Sequence, residues 1–239
     1  LLCRTENMIP EEQKSKIALF CNLKSETVIE ALDSPSIYDV PIAYHNQGLD
    51  HQVCKHFKLN LSRKPDLSRW IEITKIQNSS EGNVNIAIVG KYTSMIDAYK
   101  SLIEAINHGG LANRVKVTIR WINSELIEEK KSEIKNIFKD INGIIVPGGF
   151  GKRGSEGKIN AIKFARLNNV PFFGICFGMQ MAIIEFARNK LNLKKATSSE
   201  FGVGGIPVIG LITEWNRDGK LIKGTDKDLG GTMRLGLYD

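Results

Sequence analysis

From residue 84 onward the chain alternates strand-type and helix-type segments, and this order constrains its fold more than any other feature. VNIAIVG (84–90) is a short apolar run rich in β-branched residues and reads as a strand. DAYKSLIEAINHGG (97–110) has helical periodicity, with Gly109 and Gly110 as its expected stop. VKVTIRWI (115–122) alternates apolar and polar residues as a strand does. SELIEEKKSEIKNIFKDI (124–141) reads as a helix with a charged outer face, and GIIVPGG (143–149) as a strand entering a glycine turn. A helix over 157–168, a strand at FFGI (172–175) and a helix over 178–190 follow. This order implies an α/β fold: a doubly wound, mostly parallel sheet with helices on both faces. Sites in such sheets form at the carboxyl ends of strands. The glycine-rich turns at 147–154 and 174–178 both lie at such ends.

The upstream part is less regular. KIALFCN (16–22) reads as a buried strand, and SETVIEAL (25–32) as a short helix capped by Ser25. Residues 61–83 read as a linker anchored by Trp70, ending in an Asn/Ser/Glu/Gly cluster. The expected division is therefore 1–60, a linker over 61–83, and a domain over 84–239.

Composition narrows the function. At 239 residues with 42% hydrophobic and 25% charged residues, the chain has the make-up of a globular protein. Its net charge of +7 is spread along the sequence, which suits anionic small molecules. No nucleic-acid-binding motif accompanies it, so no nucleic-acid partner is expected. Cys3, Cys21, Cys54 and Cys176 show neither metal-ligand spacing nor C-x-x-C, as expected of a cytoplasmic protein. No apolar run approaches the roughly 18 residues of a membrane span, so no membrane association is expected. The opening LLCRTEN and the abrupt end at Asp239 read as a chain truncated at both ends, or as a decayed gene product.

The chemistry concentrates in GICFG (174–178), a glycine–x–nucleophile–x–glycine elbow with cysteine as the nucleophile. A sharp strand-to-helix turn holds the nucleophile in a strained backbone conformation, and small neighbours let the turn pack. The following helix points its positive end at the sulfur and favours thiolate. Backbone N–H groups after the nucleophile can hold an oxyanion. A cysteine alone reads as a buried structural thiol; the two glycines and the strand–helix context make Cys176 a nucleophile. PGGFGKRG (147–154) leaves backbone amides uncovered and reads as an oxyanion or substrate cradle facing it. It lacks the G-x-x-x-x-G-K-[ST] pattern of a phosphate loop. A thiol nucleophile ordinarily works with a histidine, but His45, His51, His56 and His108 all precede Cys176 and none presents itself as its base.

These motifs, GICFGMQ, VPGGFGKRG, SSEFG and DLGGTMRLG, resemble the glutaminase half of the CTP synthase family. KIALFCN, SIYDVP, QGLDHQVCKHF and LITEW resemble the same family in order across nearly the whole chain. The resemblance implies a class I glutamine amidotransferase-like, flavodoxin-like domain preceded by the tail of a P-loop-type synthase domain. It implies that ATP phosphorylates the uracil 4-oxygen of UTP and that ammonia from glutamine, delivered by a tunnel, makes CTP. It implies ATP and Mg²⁺ as cofactors, GTP as an activator, and a homotetramer.

Residue by residue, the resemblance makes Cys176 the nucleophile that forms a glutamyl thioester. It places Gly148, Gly149 and Phe177, with Gly178 and Met179 beside them, at the oxyanion and substrate loop. Phe177 stands where leucine is common, but its contact is through backbone. Gln180 and Glu200 match side chains that bind glutamine, and a carboxylate suits the substrate's α-ammonium. Lys16 matches a lysine at the UTP and CTP site, where a cation suits a triphosphate. Asp33 and Ser34 fall at the family's ATP contacts, and Arg4 falls near the same nucleotide sites. The family's His-x-Glu pair, downstream of DLGGTMRLG, and its P-loop and Mg²⁺ ligands do not occur in residues 1–239. This segment alone is therefore expected to be inactive. Two alternatives stand beside the synthase: a free-standing class I glutaminase or γ-glutamyl hydrolase, which would have no use for KIALFCN and SIYDVP, and a non-catalytic split or decayed module.

Overall fold

A computed structural model describes residues 1–61, 63–91, 95–149, 151–210, 214–217 and 220–223. By internal contacts the chain divides into two units: Leu1–Gly82 with Asn107–Lys116, and Asn83–Ile106 with Val117–Asp239. The elements of the first part are β1 (Leu2–Thr5), α1 (Glu11–Phe20), β2 (Ile29–Leu32), α2 (Val40–Asn46), α3 (Leu49–His56) and α4 (Ser68–Asn78). Those that follow are β3 (Gly82–Gly90), α5 (Lys100–Ala112), β4 (Val115–Asn123), α6 (Ser124–Glu129), α7 (Ile134–Ile137), β5 (Gly143–Val146), α8 (Ser155–Leu167), β6 (Phe172–Gly174) and α9 (Phe177–Asn189). Short strands close the described chain: β7 (Ala196–Ser198), β8 (Ile206–Ile209), β9 (Glu214–Arg217) and β10 (Lys220–Lys223).

In the first unit β1 and β2 pair in parallel, Leu2 opposite Ile29 and Thr5 opposite Leu32. The far side of β2 is closed by a side chain. Gln47 accepts from the Glu30 N–H through Oε1 and donates to the Glu30 carbonyl through Nε2, both at 2.8 Å. Two expectations fail here. KIALFCN is not a buried strand: residues 16–20 lie in α1, where Pro10 precedes the first turn and Glu11 and Glu12 suit its positive end. Only Ala18 of α1 is buried, while Leu19 and Phe20 are exposed. SETVIEAL is not a helix either: Ser25–Thr27 is a single 3-10 turn, and Ile29–Leu32 is β2. Burying the β-branched Val28 and Ile29 in an extended segment outweighs their weak helical preference. Within 61–83, residues Ser68–Asn78 form α4, and Trp70 lies 6.3 Å from Tyr38 between ring centroids.

The second unit is built on a four-stranded sheet in the order β4-β3-β5-β6. β5 pairs in parallel with β3 (Ile86 with Gly143) and with β6 (Ile144 with Phe172). The expected α/β architecture is thus present. Its core joins Val89, Ile144 and Val146 of the sheet to Ile159 and Ile162 of α8 and Met181 and Ile184 of α9. Each such fully buried aliphatic side chain contributes about 1.5–3 kcal/mol by leaving water. Two boundaries differ from expectation. Gly109 and Gly110 do not stop α5, which continues to Ala112 and buries Gly110. The helix expected over 124–141 breaks at Lys130 (φ −112°, ψ 48°) into α6, a 3-10 turn and α7. Asn123 caps α6 by accepting from the Glu125 N–H.

A partly buried ion pair ties α8 to α9. Arg166 Nη2 donates to Glu185 Oε1 at 2.8 Å and Nε to both carboxylate oxygens at 3.1–3.2 Å, with the Glu185 side chain only 2% exposed. Hydrogen bonding to that carboxylate pushes the Arg166 guanidinium further toward its charged form.

Candidate active site

Strand β6 ends at Gly174 and α9 begins at Phe177, so two residues make the turn between them. Cys176 takes the positive-φ conformation, φ 52° and ψ −108°, immediately before the helix and is exposed. A residue with a Cβ holds such a backbone only where its surroundings impose it. The surroundings are visible at the flanking glycines. A Cβ on Gly178 would collide with the Val146 carbonyl oxygen, and one on Gly174 would stand 2.7 Å from the Met179 nitrogen. Only glycine lets α9 press its first turn onto β5 and β6. The Ile175 N–H donates to that same Val146 carbonyl at 2.9 Å and fixes the start of the turn.

The second glycine loop lies against the nucleophile. A Cβ on Gly148 would stand 3.7 Å from the Cys176 Cβ, and Gly149 takes φ 130°. Phe177 is the first residue of α9, so its N–H has no intrahelical acceptor. Its ring is fully buried, while the Met179 side chain points outward at 52% exposure. Gln180 is half-buried in the first turn, its N–H donating to the Cys176 carbonyl at 3.2 Å.

Glu200 reaches the site from 24 residues beyond the nucleophile, carried by the 3-10 turn Ser199–Phe201 that follows β7. Ser198 Oγ accepts from the Glu200 N–H at 3.2 Å, and Glu200 Oε1 accepts from the Gly151 N–H at 2.6 Å. The structure therefore brings Cys176, Gly148, Gly149, Phe177 and Glu200 to one end of the sheet. A cavity of about 410 Å³ opens beside them, lined by Ala98, Tyr99, Ser101, Leu102, Pro147, Gly148 and Ile175.

Two lysines that were not expected border this cluster. Lys91, just past β3, donates to the Gly151 carbonyl at 3.0 Å. Burial and the nearby Arg153 hold its ammonium below the ordinary lysine range, with Glu200 acting against them. Lys158 of α8 is completely buried, and its Nζ has no hydrogen-bond partner among the described residues. Burial, reinforced by Lys91, lowers it to about 8, while Cys176 acts in the opposite direction. The two Nζ atoms stand 5.7 Å and 4.8 Å from the centre of the Phe177 ring. The sequence does carry a signal for Lys158: it shares helical spacing with Ala161, Ile162 and Ala165, all buried.

The candidate nucleotide residues lie in the first unit. Arg4 of β1 forms an ion pair with Asp33, the residue after β2, and donates to the Ala31 carbonyl at 3.0 Å. Ser34 follows, half-buried. The Nζ of Lys16 instead donates to Glu12, one helical turn away, at 2.7 Å. The segment 228–236, with DLGGTMRLG, lies outside the described residues. Among the described residues no group of three or more His, Cys, Asp or Glu could hold a metal ion. Likewise no helix among them is long and apolar enough to cross a membrane.

Comparison with known proteins places the chain in a family. Residues 94–239 match the family model "Glutamine amidotransferase class-I", and residues 1–59 match "CTP synthase N-terminus". The chain is 58% identical over 239 residues to a CTP synthase of Pelagibacter ubique and 55% identical over 240 residues to one of Rhodospirillum rubrum. Both alignments take in 100% of this chain but 44% of the relative, so the chain spans less than half the length of these relatives. A solved structure, "Trypanosoma brucei CTPS - glutaminase domain with bound acivicin", is similar at 40% identity and a TM-score of 0.44, covering 50% of this chain and 46% of that one.

Proposed function

The chain belongs to the class-I glutamine amidotransferases, and on that premise we propose that it is the ammonia-producing part of a CTP synthase, with the tail of the synthase domain at its start. The observation that carries this reading is Cys176 held at φ 52° on a helix start, with Gly148 against it and Glu200 bound to the same glycine loop.

In this reading Cys176 Sγ attacks the side-chain carboxamide carbon of glutamine. The carbonyl oxygen takes up the negative charge and is met by N–H groups of Gly149 and Phe177, while Gly148 and Gly178 keep the backbone close enough to do so. Glu200 receives the α-ammonium of the substrate, and Gln180 and Met179 bound its pocket. The C–N bond breaks, ammonia departs with the transferred proton, and water then hydrolyses the glutamyl thioester. None of the four histidines matches the base of the family, so on the resemblance we assign the general base to a His-x-Glu pair outside residues 1–239. Without its base such a nucleophile loses several orders of magnitude in rate. Residues 1–239 alone are accordingly expected not to turn over glutamine.

The whole protein would use the ammonia to aminate UTP with ATP. Lys16, Arg4, Asp33 and Ser34 are our candidates for contacts to UTP, CTP and ATP. GTP as activator, a homotetrameric state and a cytoplasmic location belong to the same proposal. Mg²⁺ would accompany ATP; the described residues do not fit it, and no step of the glutaminase reaction passes through it. We retain the division 1–60, 61–83 and 84–239 as part of this proposal; the two family models cover 1–59 and 94–239. A free-standing glutaminase is the weaker reading, because residues 1–59 match a synthase model.

The test uses the full-length gene product. Cys176→Ala should abolish glutamine-dependent CTP formation and leave the ammonia-dependent reaction intact. Equal loss of both, or of neither, would rule Cys176 out as the nucleophile.

A further inference from the structure

We propose that Lys158 is a positioning residue for the nucleophile: a cation enclosed behind the oxyanion loop that supports negative charge as it develops at Cys176 and on the attacked carbonyl oxygen. The proposal rests on the glutaminase reading of the site and deepens it.

The argument starts from an unfavourable arrangement. Lys158 is the fourth residue of α8, near the positive end of that helix, where a cation is poorly placed. Its side chain is fully buried, and its Nζ has no hydrogen-bond partner among the described residues. Lys91 adds a like charge nearby. The face of the Phe177 ring offsets only part of the cost of burying an ammonium without a counter-charge, and packing alone would be served by a neutral side chain of similar volume.

The location supplies the reason. A Cβ on Gly149 would stand 3.7 Å from Lys158 Nζ, and Nζ lies 4.8 Å from the centre of the Phe177 ring. Lys158 therefore backs both residues whose N–H groups are assigned to the oxyanion. Among the described residues the groups facing it are few. Lys91 approaches from the end of β3, and Cys176 from the turn before α9. On the α6 side, the Glu128 carboxylate is already engaged by the Gly157 N–H at 3.0 Å, and Ser124 Oγ is buried without a partner among the described residues. Glu200 and Arg153 act on Lys91. A transient anion at Cys176 would be the charge that Lys158 lacks in the resting site. Its effect reaches Cys176 from behind the oxyanion loop and requires no movement of the lysine.

The experiment measures alkylation of Cys176 by iodoacetamide, resolved by peptide mass so that Cys3, Cys21 and Cys54 do not contribute, across roughly pH 6.5 to 9.5. It is run on the full-length protein, K158M and K158R, together with glutamine kcat and KM. K158M should alkylate about tenfold more slowly than wild type below the titration of Lys158 near 8, the gap closing above it. K158R should stay near wild type, and the loss in glutamine hydrolysis should fall on kcat. A K158M profile that matches wild type, or one lowered equally at every pH, overturns the proposal. If K158M does not fold, K158Q carries the same comparison. Should the glutaminase reading itself be wrong, wild type would hydrolyse no glutamine while the alkylation gap persisted, so the two failures are distinguishable.

Discussion

Phe201 meets Phe177 edge-on, with ring centroids 6.1 Å apart and planes at 73°. This contact joins the turn that carries Glu200 to the residue that opens α9. An aromatic pair of this kind contributes about 0.5–1.5 kcal/mol beyond its burial. Phe201→Ala in the full-length protein should therefore raise the KM for glutamine about three- to tenfold, with a smaller effect on kcat. Steady-state glutaminase kinetics would show this, and an unchanged KM would separate Glu200 from substrate binding.

Gly178→Ala should be among the most damaging substitutions in the second unit. Its Cβ would collide with the Val146 carbonyl oxygen, which is backbone and has no flexible end to yield. The start of α9 must lift off β5, at a cost of about 1–3 kcal/mol or more. Urea denaturation should show that loss, and Cys176 should lose its reaction with glutamine at the same time. A variant with full activity and an unchanged denaturation midpoint would contradict such tight packing of α9 on β5.

Lys158 makes stability depend on pH in a defined direction. In the unfolded chain it holds its proton up to about 10.5, and in the folded protein only to about 8. Between those values the unfolded state binds more protons, so stability rises with pH across that window. Below about 8 the penalty is fully present. K158M removes the charge and should be more stable than wild type at pH 7 by about 1–3 kcal/mol, the difference fading as pH approaches the ordinary lysine value. Chemical denaturation at pH 7 and near pH 10 would reveal it, and parallel profiles for the two proteins would count against the buried cation.

Arg166→Ala leaves the Glu185 carboxylate buried and unpaired, because Glu185 makes its side-chain ion pair with this residue. The expected loss is about 1–3 kcal/mol, because the partly exposed arginine leaves water a path to the carboxylate. The double variant with Glu185→Leu should recover much of it, since removing both charges also removes the burden of burying them. A double-mutant cycle followed by thermal denaturation tests the pair, and additive losses would refute the coupling.

How much of the molecule is legible from residues alone depends on whether local pattern or distant packing decides the outcome. β5, α8, β6 and α9 are readable nearly to their ends, because Ile159, Ile162, Met181 and Ile184 repeat at helical spacing between short apolar strands. GICFG is legible because Gly174 and Gly178 are demanded by contacts within one turn and its adjoining strands. KIALFCN misleads because a brief apolar run fits either structure, and the Glu11–Glu12 helix start lies outside that run. SETVIEAL misleads because pairing with β1 is a long-range event. The tie from Glu200 to Gly151 spans 49 residues and carries no local signature. Lys158 announces its burial by spacing with Ala161, Ile162 and Ala165, but its neighbours Gly149 and Phe177 come from other elements.

The amide of Gln47 has a consequence beyond the strand it touches. Exposed strand edges recruit other strands, and proteins guard them against fibril growth and unwanted association. By bonding both the N–H and the carbonyl of Glu30, a side chain from the end of α2 fills the place an incoming strand would take. Replacing Gln47 with glutamate would keep the acceptor, remove the donor, and leave that register position open to aggregation.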